Sequence, residues 1–345
     1  MTAAVLYGKE DLKIEQVPIP RVEEGEVLVK VRVALTCGTD LKVFRRGYHA
    51  RMIVPPALFG HELAGVIEEV GEGVTGFEKG QRVVSLNSAP CGVCFYCAKR
   101  QENLCEDLLF NNGAYAEYIR VPRRIVEANM LMIPPEVSFE DAAMTEPLAC
   151  VLHGLEQTGV NAGDTVTIIG AGPIGLMFIQ VARALGCNVI AVVKRDEQVE
   201  ASRHIGANEV VKITAVQNVI EAVRALTPAQ RGSDVAIEAV GRPETWEWAV
   251  EMVRKGGTVN FFGGCASGTK VQLDTNRLHY SDITLKATFH HTPKSVRRAF
   301  DLIAAKKIRP PDYITGEAPL SSLQQVLSDM VNRGRDIKTA IIPGG

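Results

Sequence analysis

The 345-residue sequence lacks a long apolar run, a surplus of either charge and any internal repeat. Without about 18 consecutive apolar residues, no membrane-spanning helix is expected. The best apolar stretch, Val166 to Ile179, is broken by three glycines and a proline and reads as strand, turn and helix. The 40 acidic and 38 basic side chains leave a net charge of −2. That balance offers no electrostatic footprint for nucleic acid. The first ten residues show no basic segment leading into an apolar one, so export is not expected and a cytoplasmic location is. With 46% apolar and 23% charged residues, the composition is that of an ordinary globular protein, and its length suggests two domains.

The first 150 residues read as β-rich. Val27, Val29, Val31 and Val33 alternate with Leu28, Lys30 and Arg32, the period of a half-buried strand. Near Thr158 the texture changes. Strand Thr165–Ile169 leads into a helix over 173–185, and strand Asn188–Val193 into a helix over 197–205. Strands near Val210, Val235 and Val259 follow, with helices near Val219 and Trp246. Such alternation predicts a doubly wound parallel sheet with helices on both faces, an α/β fold. A strand over 283–287, a helix over 293–306 and a final strand Lys338–Ile342 complete the reading.

The sequence has eight cysteines, and in a chain of this size without an export signal they point to metal or catalysis rather than disulfides. Cys91, Cys94, Cys97 and Cys105 form C-x2-C-x2-C-x7-C, a spacing that lets four thiolates converge on one tetrahedral zinc. Such a site has no open position, so its zinc is structural. Four unrelated buried thiols, a redox C-x-x-C and an iron–sulfur cluster stand as the other readings. Lys99, Arg100, Glu102, Glu106 and Asp107 suit an exposed lobe over 88–107. Cys150, Cys187 and Cys265 receive no role.

Cys37, in Thr36-Cys37-Gly38-Thr39-Asp40, His61 and Glu62, in Gly60-His61-Glu62, and Glu146, in Thr145-Glu146-Pro147-Leu148, offer sulfur, nitrogen and oxygen donors. Three protein ligands plus water is the pattern of a catalytic zinc. Gly170-Ala171-Gly172-Pro173-Ile174-Gly175 is a G-x-G-x-x-G between a strand and a helix, the context of a dinucleotide site. The order and spacing of these motifs resemble the zinc-containing medium-chain dehydrogenase/reductase family. The nearest branch is the sorbitol (L-iditol 2-) and threonine dehydrogenase-like one. The resemblance runs from about residue 1 to 340.

This resemblance implies a GroES-like catalytic domain over 1–153 and 289–345, split by a Rossmann domain over 154–288. It implies two zinc ions per chain: a catalytic one on Cys37, His61 and Glu146, with Glu62 ligating directly or exchanging with water, and the structural one. Thr39 matches the family's hydroxyl relay; Lys42 stands where many relatives carry the histidine that finishes it. Lys338 matches a basic residue near the cofactor pyrophosphate, its plain alternative being a solvated lysine. Val240 and Gly263 are counted with the cofactor contacts. An NAD-binding member would carry an acid at the end of the second strand; this chain reads Val193-Lys194-Arg195, which suits the 2′-phosphate of NADP(H). A solvated Lys-Arg pair offset by Asp196 is the alternative.

The implied reaction is reversible oxidation of an alcohol to a ketone or aldehyde. Sorbitol dehydrogenases align a tyrosine with Val43 and an arginine with Ala287, so a less polar, secondary or primary alcohol is expected. A polyol or L-threonine oxidised with NAD(H) is the alternative. The segment from Cys105 to Gly113-Ala114-Tyr115-Ala116 is shorter than in close relatives, which opens the pocket. His49, His290 and His291 are candidate lining residues, with surface or hydrogen-bonded roles as the alternative, and Trp246 and Trp248 are expected to pack a Rossmann helix. A small-molecule substrate, no nucleic acid, no membrane and a homotetramer, or a dimer, complete the expectation. A non-enzymatic redox sensor or structural protein would not need Cys37, Thr39, His61, Glu62 and Glu146 together.

Overall fold

A computed structural model describes residues 1–49, 51–332, 334 and 336–344. The chain divides into two compact units, Met1–Ala149 with Thr292–Gly345, and Cys150–His291. No helix among the described residues is long and apolar enough to cross a membrane.

The first unit is built on a sheet in which Met130–Met132, Arg82–Ser85, Leu63–Val70, Val27–Leu35, Lys338–Ile342 and Ile314–Pro319 follow one another in space. Val27–Leu35 is its hub, pairing antiparallel with Leu63–Val70, Tyr118–Val121 and Lys338–Ile342. Val27, Val29, Val31, Val33 and Leu35 are buried, as the alternation predicts, but so are Leu28 and Ala34. The strand is more than half-buried because helix Phe139–Ala143 also packs against it. Only Lys30 and Arg32 reach outward. The cysteine-rich lobe leaves this unit through a short antiparallel ribbon, Ser88–Ala89 against Leu109–Phe110, which closes its base.

The second unit is a six-stranded sheet in which every neighbouring pair is parallel. Its spatial order is Glu209–Lys212, Asn188–Val193, Thr165–Ile169, Ser233–Glu238, Val253–Phe261, Thr284–Ala287. Numbered along the chain, that order is 3-2-1-4-5-6, the doubly wound arrangement. Helices Pro173–Ala184, Asp196–Ile205, Val219–Ala225 and Pro243–Met252 connect the strands. All five residues of Thr165–Ile169 are buried, as a central parallel strand covered on both faces requires. The direction of winding reverses between Thr165–Ile169 and Ser233–Glu238. A crevice for a ligand lies at such a switch point, outside the carboxyl ends of the strands.

Glycine shapes one wall of that crevice. Gly170 has φ 98°, and a Cβ there would meet Val240 Cγ2 at 2.6 Å. A Cβ on Gly175 would lie 1.8 Å from the Gly170 carbonyl oxygen, a backbone atom that cannot swing away. Gly172 caps helix Pro173–Ala184, and a Cβ on it would meet nothing within 4 Å. Overpacking typically costs about 1–3 kcal/mol, with the upper end where backbone must move. Gly175→Ala is therefore expected to lower the unfolding free energy of this unit by about 3 kcal/mol, and Gly172→Ala to leave it nearly unchanged. Both tryptophans of the chain, Trp246 and Trp248, lie in this unit, so their fluorescence during urea unfolding reads the comparison. Equal stability of the two variants would refute the close approach.

Candidate active site

Two adjacent strands of the hub bring the first donor set together. Ala34 pairs with Leu63, so Cys37, just past the end of one strand, and His61 and Glu62, just before the start of the other, emerge at the same edge. Cys37 then caps helix Gly38–Arg46, its sulfur accepting from Thr39 N at 3.4 Å. One donor atom each from Cys37, His61 and Glu62 lie within 4.8 Å of one another. A soft thiolate, an imidazole and a carboxylate gathered at that distance fit a zinc ion. Glu146, in the first turn of helix Thr145–Glu156, is 6% exposed but is not among these three gathered atoms.

Behind the donors stands a carboxylate to which the sequence reading gave no role. Asp40 is 1% exposed. Its Oδ1 lies 2.9 Å from His61 Nδ1, and its Oδ2 accepts from Cys37 N at 3.1 Å and from the Tyr115 hydroxyl at 2.6 Å. Engaging Nδ1 in this way leaves Nε2 to act as ligand and fixes the ring plane. Burial works against a charged His61, yet the Asp40 carboxylate and the Cys37 thiol outweigh it and hold the imidazole well above its ordinary pKa. Burial, with Asp40 alongside, pushes the Tyr115 phenol up as well, so it remains a donor.

Lys338 is not the solvated lysine of the plain alternative. Its side chain is 2% exposed and its Nζ lies 2.6 Å from Glu62 Oε2, itself 0% exposed. The same ammonium donates to the Thr36 carbonyl at 2.7 Å. Strand Lys338–Ile342 delivers it there by pairing with Val27–Leu35. Burial alone would discharge the lysine, but Glu62 beside it raises its pKa; burial pushes the Glu62 carboxyl up, and Lys338 pulls it back.

The four-cysteine lobe is drawn tight. Cys94 Sγ is 3.5 Å from Cys97 Sγ and 3.8 Å from Cys105 Sγ, and Cys91 Sγ is 4.0 Å from Cys97 Sγ. Zn–S bonds of about 2.3 Å in a tetrahedron set sulfurs about 3.8 Å apart, whereas a disulfide needs about 2.05 Å. Backbone N–H groups of Glu106 and Cys97 bring Cys94 down to about 6, while burial pushes Cys97 up to about 12. Thiolates this close ionise together only around a cation, so the lobe fits a zinc ion too.

At the crevice, Lys194 and Arg195 follow strand Asn188–Val193, and both backbone N–H groups donate to Gln198 Oε1 at 3.2 Å. Gln198 Nε2 reaches back to the Ala171 carbonyl at 3.3 Å, tying this turn to the glycine turn. Asp196 is held by Lys212 at 2.6 Å rather than by Lys194 or Arg195. Opposite, Glu238 is fully buried and its Oε1 accepts from Val240 N, Gly241 N and the Thr245 hydroxyl at 2.8, 2.9 and 2.7 Å. Trp246 stacks on Phe261 and donates Nε1 to the Gly263 carbonyl at 3.0 Å.

Models of two families match this chain: the alcohol dehydrogenase GroES-like domain over 23–130 and the zinc-binding dehydrogenase over 173–305. The sorbitol dehydrogenase of Bacillus subtilis is 30% identical over 95% of this chain and 92% of its own. The chain belongs to the zinc-dependent medium-chain alcohol dehydrogenase family. Its fold, a GroES-like unit with a Rossmann sheet, superposes on an alcohol dehydrogenase from Thermus sp. ATN1 with TM-score 0.89 at 30% identity, covering 99% of both chains. It also superposes on a zinc-binding dehydrogenase of Sinorhizobium meliloti bound to NADP, with TM-score 0.90, 30% identity and 99% of both chains.

Within this dehydrogenase the remaining candidates fall in different places. Thr39 is half-buried in the first turn of helix Gly38–Arg46, and Lys42, one turn on, is exposed. Val43 is 2% exposed in the core of the first unit, and Ala287 is exposed at the end of the edge strand. His49 uses Nδ1 to accept from Arg51 N and Met52 N, a local turn bond. His290 adopts φ 63° with its ring 4.0 Å from that of His291, which is buried. Trp248 packs partly buried against the Rossmann core.

Removing one partner of a buried ion pair leaves the other charge stranded, at a cost of about 3–5 kcal/mol. Lys338→Met is expected to destabilise the zinc-loaded enzyme by that amount, and Lys338→Met/Glu62→Gln by clearly less than the sum of its single changes. Urea unfolding of the four proteins closes the cycle. Additive losses would show that the two side chains do not depend on each other.

Proposed function

We propose that this enzyme interconverts a secondary or otherwise weakly polar alcohol and its ketone or aldehyde with NADP(H). The observation that carries the cofactor preference is the end of the second Rossmann strand. No acid stands there to bond a ribose 2′-hydroxyl, and with Asp196 taken up by Lys212, Lys194 and Arg195 are left for a 2′-phosphate. The likeness to an NADP-bound dehydrogenase supports the same reading. Gly170, Gly172, Pro173, Ile174 and Gly175 form the turn and helix N-terminus that receive the pyrophosphate, and Val240 and Gly263, held by Glu238 and Trp246, border the nicotinamide end.

In this reading Cys37 and His61 hold the catalytic zinc together with the Glu146 or the Glu62 carboxylate, Glu62 being the one gathered beside them, and Cys91, Cys94, Cys97 and Cys105 hold the structural one. When bound, zinc supplies a Lewis acid to the substrate oxygen and the nicotinamide accepts the hydride. The chain's own residues move the proton. The Thr39 hydroxyl receives it from the alcohol while passing its own onward, and Lys42, exposed one turn along the helix, lies on the way to solvent. Asp40 keeps His61 oriented, and Lys338 keeps Glu62 a carboxylate. The weakly polar substrate rests on the sequence resemblance: sorbitol dehydrogenases carry a tyrosine and an arginine where this chain has Val43 and Ala287, and sites built to bond hydroxyls discriminate strongly, although Val43 itself packs in the core of its unit. A homotetramer in the cytoplasm, or a dimer, is carried with this reading. The likeness to a sorbitol dehydrogenase favours a second one, a polyol or L-threonine oxidised with NAD(H).

Hydrogen bonds to a charged group are worth about 1.5–3 kcal/mol. Arg195→Ala is therefore expected to lower kcat/KM for NADP+ about 10- to 100-fold and to leave that for NAD+ nearly unchanged. A panel of 2-butanol, benzyl alcohol, sorbitol and threonine with both cofactors completes the test. A wild-type preference for NAD+ overturns the cofactor assignment, and a preference for sorbitol or threonine overturns the substrate class.

A further inference from the structure

Tyr115 lies in a segment to which the sequence reading gave no chemistry, yet it is 0% exposed. Its main chain is latched to the loop that carries His61. Tyr115 N donates to the Phe59 carbonyl at 3.0 Å, and Gly113 N and Ala114 N donate to the Gly60 carbonyl at 2.9 and 3.1 Å. Its ring fills the space left by Gly60, where a Cβ would come within 2.5 Å of Tyr115 Cδ2. Its hydroxyl crosses to the other donor-bearing element and gives Asp40 Oδ2 a 2.6 Å bond, with the Leu35 carbonyl at 3.1 Å as a second acceptor. Asp40 in turn engages Cys37 N and His61 Nδ1. One rigid aromatic side chain thus spans from the backbone beside His61 to the carboxylate that holds both Cys37 and His61.

We infer that Tyr115 is a positioning residue of the catalytic metal site, a strut that sets where the His61 imidazole stands relative to the Cys37 sulfur. Of the donors on Asp40 Oδ2 it gives the shorter bond: Cys37 N lies at 3.1 Å. Without the hydroxyl, the carboxylate can turn about its Cα–Cβ and Cβ–Cγ bonds, and the imidazole plane turns with it. Loss of a partner that orients a metal-ligating histidine typically weakens metal binding about 10- to 100-fold. The inference rests on the reading that Cys37 and His61 hold zinc.

Tyr115→Phe is the test, since it deletes one oxygen and keeps the ring, its packing and the main-chain latch. Zinc release from the holoenzyme to excess EDTA is followed with time, and the two zinc classes of each chain are assigned with His61→Ala and Cys97→Ser. Tyr115→Phe is expected to speed loss of the His61-dependent zinc about tenfold while the cysteine-lobe zinc leaves at the wild-type rate. The visible absorption of the cobalt-substituted enzyme shifts with it. Asp40→Asn, which disturbs the same carboxylate, gives the same pattern should the phenylalanine variant fold poorly. Equal acceleration of both classes, or none, overturns the strut. A wild-type protein in which His61→Ala changes neither metal content nor release refutes the zinc assignment itself, and the strut with it.

Discussion

A buried ammonium and a buried carboxylate, 2.6 Å apart, hold the catalytic unit closed on itself. Glu62 and Lys338 are contributed by the first and last parts of the chain, and neither is stable alone where it sits: each charge would cost several kcal/mol without the other. Their meeting requires strand Lys338–Ile342 to lie beside Val27–Leu35, which brings the end of the chain back to its beginning after the Rossmann unit has been traversed. The same pairing places Lys338 Nζ on the Thr36 carbonyl, one residue before Cys37. Sheet register, metal-donor geometry and the return of the chain are therefore one constraint.

The two units use different physics to present their chemistry. The Rossmann unit relies on what is missing: no Cβ at Gly170 or Gly175, so that a strand, a turn and a helix can come within contact of one another. In the proposed reading backbone N–H groups and a helix N-terminus then receive the pyrophosphate. The catalytic unit relies on layers of side chains. Cys37, His61 and Glu62 are held by Asp40 and Lys338, and Asp40 by Tyr115. A void suffices to admit a phosphate, which tolerates some play; a metal ligand must be fixed in both distance and ring plane.

That difference also explains what could be read in the sequence. The glycine turn and the strands and helices around it were legible because their rules are local: Thr165–Ile169 and Asn188–Val193 lie where alternation and turn residues put them. The cysteine spacing was legible for the same reason. Asp40, Tyr115 and the placement of Lys338 were not. The hydroxyl of Tyr115 meets a residue 75 positions away, and Lys338 meets a carbonyl 302 positions away, and no periodicity encodes such meetings. Lys338 reads from the family pattern as a basic residue near the pyrophosphate, and its contact with Glu62 shows only once the strand that carries it is paired. Val27–Leu35 misled in a milder way: a period of two signals one buried face, whereas Leu28 and Ala34 on the other face are buried also, and helix Phe139–Ala143 packs against this strand.

Charge counting ties these parts together. In the proposed metal site a partly exposed Cys37 thiolate stands beside the buried Glu62 and Asp40 carboxylates. A divalent ion alone would leave this group anionic in a poorly solvated place, and Lys338 supplies the remaining positive charge. Counted over Cys37, Glu62, Asp40, the ion and Lys338 the charges balance, which removes most of the penalty for burying these groups; the Glu146 carboxylate lies outside this count. It also means that no member can be replaced by a neutral side chain without upsetting the rest. A lysine that appeared to belong to the cofactor is, in this light, as much a part of the metal site as the residues that would touch the ion.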